Sequence, residues 1–298
     1  MSTSPVPTRV VVAYDGSTPA RTALDLACDL GAARGLPLHL VCAVDADDPV
    51  SAEAFTATAQ AALASAAALA ASRGVVATTA TPLGSPSAAV LRQVRTGDLV
   101  VTGTHGHRPV ARVFLGSTSS ALVSHARGPV LVARRGAAAP DAPVVVGVDG
   151  SPWSSDAVAL AAREAEVRGV GLRAVLALPP VVDAAGLVDV PDEAQVEEGR
   201  ALVAESVAGL AEAHPDVPVT TSVVVTHPVD ALLGASHEAS LLVVGSRGHG
   251  ALRRMLLGSV SREVSQRAAC PVLVGHRTAA ADLPLPPARR EQLPVALL

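Results

Sequence analysis

Short apolar runs alternate along this chain with longer stretches in which apolar positions recur every three or four residues. "RVVVAYD", residues 9–15, is a β-branched run of the kind that forms a buried strand. After it, Ala20, Ala23, Leu24, Ala27 and Leu30 share one face of a helix. Further strands are predicted at 38–44, 75–81, 99–102 and "PVLVAR", with helices over 52–72, over "SPSAAVLRQV" and from Ser117. At Pro143 the order starts again: "PVVVGVD", strands at 172–178, 219–225, 241–244 and "PVLVGH", a helix over "HPVDALLGAS" and another from Ser259. Strands separated by helices pair in parallel and are covered on both faces. The predicted fold class is therefore α/β: two tandem doubly wound domains, each with a five-stranded parallel sheet.

The two halves are copies. Asp149-Gly150-Ser151 follows Asp15-Gly16-Ser17 by 134 residues, and Gly245 follows Gly103 by 142, so the second copy carries a net insertion of eight. "PPVVDAAGLVDVPDEAQVEE", rich in loop formers, is the predicted place for it. The expected domains are 1–135 and 143–277, joined by a small, Ala- and Pro-rich linker at 136–142 and followed by a non-periodic, disordered tail at 278–298. Ser17 and Ser151 are positioned to cap the first helix of each copy, and Pro152 suits its first turn.

Composition narrows the function. Apolar residues make up 49% of 298, enough for two packed cores, and the formal net charge of −4 gives no support for nucleic acid or an anionic membrane as partner. No signal peptide or transmembrane stretch is read, and the expectation is a soluble, cytoplasmic protein. Cys28, Cys42 and Cys270 lack metal-ligand spacing and read as buried thiols. The chain contains no lysine, which excludes a P-loop lysine and a Schiff-base nucleophile.

The candidate chemistry lies in glycines. "VTGTHGHRPVARVFLGSTS" at 101–119 and "VVGSRGHGALRRMLLGSVS" at 243–261 both read Gly-x2-Gly-x9-Gly-Ser, directly after the fourth strand. In a doubly wound sheet, ligands bind beyond the carboxyl ends of the strands where strand order reverses. Bare backbone there admits a phosphate chain, positive φ values would form an anion nest, and the helix beginning at the last glycine adds unpaired N–H groups. A polyphosphate chain carries more negative charge than two helix ends of about half a charge each can neutralise, so Mg²⁺ is an expected companion.

These motifs, with "VVAYDGS" and "VVVGVDGS", resemble the ATP-binding branch of the universal stress protein family over nearly the whole chain. The resemblance implies that Ala13, Asp15, Gly147 and Asp149 end the first strands at the nucleotide, and that backbone at Ala43 and Ala177 faces adenine. It places Thr102 and Val244 near adenine or ribose. It assigns ribose and phosphates to Gly103, Gly106, Gly116, Ser117 and Thr118 in one copy and to Gly245, Gly248, Gly258, Ser259 and Val260 in the other. Arg108 stands where the second copy has Gly250, and Ser240 where the first has Asp98, which leaves equal affinity of the two sites open.

Arg112, Arg253 and Arg254 in the nine-residue loops read equally as solvated or as phosphate contacts. His105, His107 and His249 have no acidic neighbour set beside them and are not read as catalytic. Asp183, Asp189, Asp192 and Glu193 in the insertion read as a solvated acidic lid. The resulting expectation is an ATP-binding regulatory protein with one site per domain, the two domains pairing through their fifth strands, with homodimerisation and a protein partner left open. The alternatives are a slow ATP-hydrolysing or adenylate-transferring enzyme on the same sheet, and a docking scaffold whose glycines serve only as turns.

Overall fold

The structure, a computed structural model, describes residues 7–276 apart from 47, 107–114, 137, 140, 183–187 and 250–256. Contacts divide the chain between Arg135 and Gly136. The first unit runs β1 (Arg9–Ala13), α1 (Thr18–Arg34), β2 (Leu38–Val41), α2 (Pro49–Ser72), β3 (Ala77–Ala80), α3 (Pro86–Gln93), β4 (Asp98–Thr102), α4 (Ser117–His125) and β5 (Val130–Val132). Its strands lie in the order β5-β4-β1-β2-β3, all parallel. The order reverses between β1 and β4, so the chain leaving each strand opens a crevice there. Helix α1 packs on β1 and β4, α2 on β2 and β3, and α3 against α4.

The second unit repeats the plan: β6 (Val144–Val148), α5 (Pro152–Arg168), β7 (Leu172–Ala177), then a hairpin of β8 (Val181–Val182) and β9 (Val188–Asp189). It continues with α6 (Glu193–Val207), α7 (Leu210–Ala213), β10 (Val219–Val224), α8 (Pro228–Ser236), β11 (Leu241–Gly245), α9 (Ser259–Arg267) and β12 (Val272–Gly275). Its parallel order is β12-β11-β6-β7-β10. The fold class is as the periodicity predicts, because β-branched runs buried on both faces, such as Val10–Val12 and Val144–Val146 at 0% exposure, suit only central parallel strands.

Local signals explain the helix ends. The Ser17 hydroxyl accepts from Ala20 N–H and that of Ser151 from Ser154 N–H, and both helices stop at a left-handed glycine, Gly35 (φ 64°) or Gly169 (φ 63°). The insertion differs from expectation. It holds an antiparallel hairpin, and Asp192, exposed as expected, also N-caps α6 in a reciprocal capping box with Gln195. Asp183, the tail and the linker residues 137 and 140 lie outside the described residues.

Helix α2 is Ala-rich, as expected. Its 24 residues are long and apolar enough to cross a membrane by length and composition, because alanine counts as apolar and polar residues are sparse. In the fold, Ala59, Leu63, Ala66 and Ala70 form the buried stripe of a helix that covers β2 and β3. The three cysteines are buried, and none forms a disulfide.

In the first sheet, His39 on β2 is buried, with Nδ1 2.9 Å from Thr78 Oγ1 and Nε2 3.2 Å from Gln93 Oε1. Burial holds its imidazole below the ordinary histidine value, and the cations Arg9 and Arg95 add to that while Gln93 and Asp98 oppose it. The unfolded chain therefore takes up this proton first as pH falls through about 6.5, and the folded state loses stability from there down. His39→Gln should remove this contribution. Its unfolding free energy is expected to drop less than that of wild type between about pH 7.5 and 5.5, the two slopes differing by at most about 1.4 kcal/mol per pH unit, as denaturant titrations at each pH would read. An equal drop in both proteins would show that burial of this ring costs nothing.

Candidate functional site

The Asp-Gly-Ser turn after the first strand of each unit is built by its own side chain. Asp15 Oδ1 accepts from Ser17 N–H at 2.9 Å and Asp149 Oδ1 from Ser151 N–H at 2.9 Å, while Gly16 (φ 81°) and Gly150 (φ 78°) take the left-handed backbone. The second carboxylate oxygen is aimed across the crevice at the glycine motif. A Cβ on Gly106 would sit 2.5 Å from Asp15 Oδ2, and one on Gly248 would collide with Asp149 Oδ2, which also accepts from His249 N–H at 3.2 Å.

The motif glycines are not an anion nest of positive φ. Among the described residues none of Gly103, Gly106, Gly116, Gly245, Gly248 and Gly258 has left-handed backbone. Close approach is what requires them. A Cβ on Gly103 would lie 2.7 Å from the Pro19 carbonyl, and one on Gly245 2.8 Å from that of Trp153. Strand four thus ends directly against the first helix of its unit.

The last glycines start α4 and α9 in extended conformation, at φ −61° for Gly116 and −69° for Gly258, and neither helix has a side-chain cap. Their own N–H groups are engaged, Gly116 with Thr104 O at 2.7 Å and Gly258 with Ser246 O at 2.8 Å, which ties each helix start to the strand-four turn. Buried hydroxyls add a second tie: Ser119 donates to Gly103 O at 2.7 Å and Ser261 to Gly245 O at 2.5 Å. The N–H groups that follow, at Ser117 and Thr118 or at Ser259 and Val260, belong to a first turn that has no intrahelical acceptor for them. Ser117 and Ser259 are exposed.

In the second unit these pieces enclose a cavity of about 250 Å³. All nine residues singled out in that copy line it: Gly147, Asp149, Ala177, Val244, Gly245, Gly248, Gly258, Ser259 and Val260. Sequence reasoning missed its apolar walls Val148, Val175, Pro228 and Leu232, and the polar Ser154, Arg247, His249 and Ser261. Pro228 and Leu232 come from α8, a different crossover, and no local motif marks them. Arg247 and His249 stand inside the motif but were discounted beside its glycines. The guanidinium of Arg247 lies 5.8 Å from the centroid of the Trp153 ring.

In the first unit Ala13 ends β1, and Asp15, Gly103, Gly106, Gly116, Ser117 and Thr118 hold the corresponding places. Ala43 follows β2, where Cys42 and Val44 still bond to the Ala80 and Pro82 carbonyls. Thr102 differs from its counterpart Val244: its side chain is buried, and its hydroxyl lies 3.1 Å from Ser119 Oγ, so it serves the α4 tie. Asp98, absent from the second copy, is far from ligand chemistry; it is buried in an ion pair with Arg9 at 2.6 Å. His105 Nδ1 is 2.9 Å from Thr104 Oγ1. Arg108, Arg112, His107, Gly250, Arg253 and Arg254 lie outside the described residues.

The site offers few reactive groups. Burial pushes the Cys42 thiol up, and Asp15 adds to the shift, so it stays protonated near neutral pH. Among the described residues no cluster of three or more His, Cys, Asp and Glu side chains is placed to hold a metal ion. Asp15 and Asp149 each bring a single carboxylate to the crevice. Each fits a single-carboxylate ligand to an Mg²⁺ carried in on phosphates, rather than part of an all-protein cage.

The universal stress protein family model matches residues 7–134 and 142–276. A universal stress protein of Mycolicibacterium smegmatis is 43% identical over 185 residues, and one of Mycobacterium tuberculosis 44% identical over 185. These alignments cover 60% and 61% of this chain and 62% of each relative, so the chain spans about three fifths of the curated relatives it matches. The crystal structure of a universal stress protein from Archaeoglobus fulgidus superposes with a TM-score of 0.72 at 19% identity, covering 91% of this chain and 98% of that one; at this identity the likeness is one of fold.

The glycine geometry separates two kinds of position. Gly245→Ala should destabilise the second unit by about 2 kcal/mol or more, since the new methyl meets backbone that cannot rotate away. Gly258→Ala meets nothing nearer than Arg247 Cα at 3.5 Å, and its cost should stay within about 1 kcal/mol, the loss of a favoured N-cap residue. Denaturant midpoints of the two variants check this; equal losses would contradict it.

Proposed function

The chain belongs to the universal stress protein family, and on that premise we propose that it is an ATP-binding regulatory protein with one nucleotide site in each unit. The observation that carries this reading is the cavity of the second unit. There, an apolar wall from three different crossovers faces bare glycine backbone and the uncapped start of α9. A purine suits the first and a phosphate chain the second. Ala177 supplies strand-end backbone at the apolar side, and the N–H groups of Ser259 and Val260 supply donors at the other. Mg²⁺ would reach the site with the phosphates, neutralising charge that the helix end alone leaves over, with Asp149 as its one protein carboxylate.

Regulation rather than catalysis is supported by how the site's hydroxyls are engaged. Ser154 donates to Ser151 O at 2.9 Å and Ser261 to Gly245 O, so neither is poised on a base as a nucleophile would be. The same arrangement in the first unit, with Asp15 against Gly106 and Gly116 tied to Thr104, supports a second nucleotide there.

Excess ATP with Mg²⁺ is expected to stabilise the protein by about 2.7 kcal/mol at a hundredfold excess over Kd, several degrees in Tm. Calorimetry should count two ATP per chain. Gly258→Val should remove one of them with little loss of fold, because that position has ordinary φ and room for Cβ. Gly116→Val should remove the other at a larger stability cost, since its Cβ lies 3.1 Å from His105 Cα. No Tm shift at millimolar ATP would refute the nucleotide reading, and ATP turnover above about one per second would refute the regulatory one.

A further inference from the structure

Among the described residues, the two units differ in one cation–ring pair beside the glycine motif. Position for position, Trp153 in α5 replaces Pro19 in α1, and Arg247 replaces His105. In the second unit the Arg247 guanidinium lies 5.8 Å from the Trp153 ring centroid, and Arg247 lines the cavity. In the first, the His105 ring is held by the Thr104 hydroxyl at 2.9 Å, and Pro19 offers no ring face.

We propose that Arg247, held by Trp153, is the residue that reads phosphate charge in the second site, making that site selective for nucleoside triphosphate over nucleoside. This rests on the nucleotide reading given above. The backbone leading into Arg247 is fixed: Ser246 N–H bonds to Gly275 O at 2.8 Å, and Ser246 O accepts from Gly258 N–H at 2.8 Å. The side chain therefore starts from the edge of the α9 N-terminus, where phosphate is expected. Left unheld, a long flexible cation there would lose rotamer freedom on binding. The indole face keeps it near the cavity without neutralising it, because a cation–π contact leaves every guanidinium N–H free to bond oxygen. The contact is also weaker than a bidentate guanidinium–phosphate pair, so a phosphate that reaches the group takes it over. Arginine suits this role better than lysine, whose ammonium is a point charge without a planar fork.

Trp153 is the sole tryptophan in the chain, so its emission reports this site and not the first. Titrating wild type with ATP, AMP and adenosine should change Trp153 emission most with ATP, as Arg247 leaves the ring for phosphate. Arg247→Gln should weaken ATP at this site by roughly tenfold, the scale of one lost charge-assisted contact, and leave adenosine within about twofold. Arg247→Lys should fall between. Trp153→Phe keeps a ring face and should retain near-native ATP heats, whereas Trp153→Leu should lower them. Undiminished ATP affinity in Arg247→Gln overturns the assignment alone, as does an equal loss of ATP and adenosine, which would mark a merely structural residue. Absence of any heat or emission change in wild type overturns the nucleotide reading and this inference with it.

Discussion

Strand four of each unit runs into the start of the first helix with no room for a side chain. The carbonyls of Pro19 and Trp153 stand within 3 Å of where a Cβ would be on Gly103 and Gly245. That contact decides the rest of the site. It turns the chain sharply at the switch point and brings the second motif glycine onto the Oδ2 oxygen of Asp15 or Asp149. It also leaves the carbonyl of residue 104 or 246 to accept the N–H of the last glycine. A cleft lined by backbone results because side chains are excluded on packing grounds, before any ligand is considered.

Each unit then has two helices beginning near that cleft, and they are treated oppositely. Helices α1 and α5 are closed by their own serines, Ser17 and Ser151, while α4 and α9 begin at glycine with no side-chain cap. A capped helix has satisfied the donors that would otherwise draw an anion. The asymmetry thus directs negative charge to one helix start out of two, and the nearby Asp15 or Asp149, itself negative, sits on the side where the cap already exists.

The two copies keep this frame while exchanging volume within it. Gly147 replaces Ala13, and Leu232 of α8 replaces Val90 of α3. A Cβ on Gly147 would lie 3.1 Å from Leu232 Cδ1, so the larger leucine occupies what the missing methyl vacates. Likewise Val244 presents an apolar wall where Thr102 turns a hydroxyl into the α4 tie. The overall packing is preserved, but the walls a base would meet differ between the units.

Periodicity determined the ten parallel strands and most of the helices between them, though not the β8–β9 hairpin or α7, and motif spacing revealed the repeat. Alternation of buried β-branched runs with amphipathic stretches has few other solutions, and the Asp-Gly-Ser and Gly-Ser spacings marked both sides of each cleft. What the sequence could not determine was why each glycine is there. Positive φ, phosphate approach and close packing all select glycine, and only tertiary contact assigns Gly16 to the first and Gly245 to the last. The capping role of Ser17 and Ser151 was legible ahead of each first helix, but only the fold shows that α9, whose first residue Ser259 also follows glycine, starts without a side-chain cap and with Ser259 exposed at the cavity. The apolar wall from Pro228 and Leu232, and the Trp153–Arg247 stack across 94 residues, were invisible for the same reason. They join segments that local pattern treats separately and that only the folding of one crossover beside another brings together.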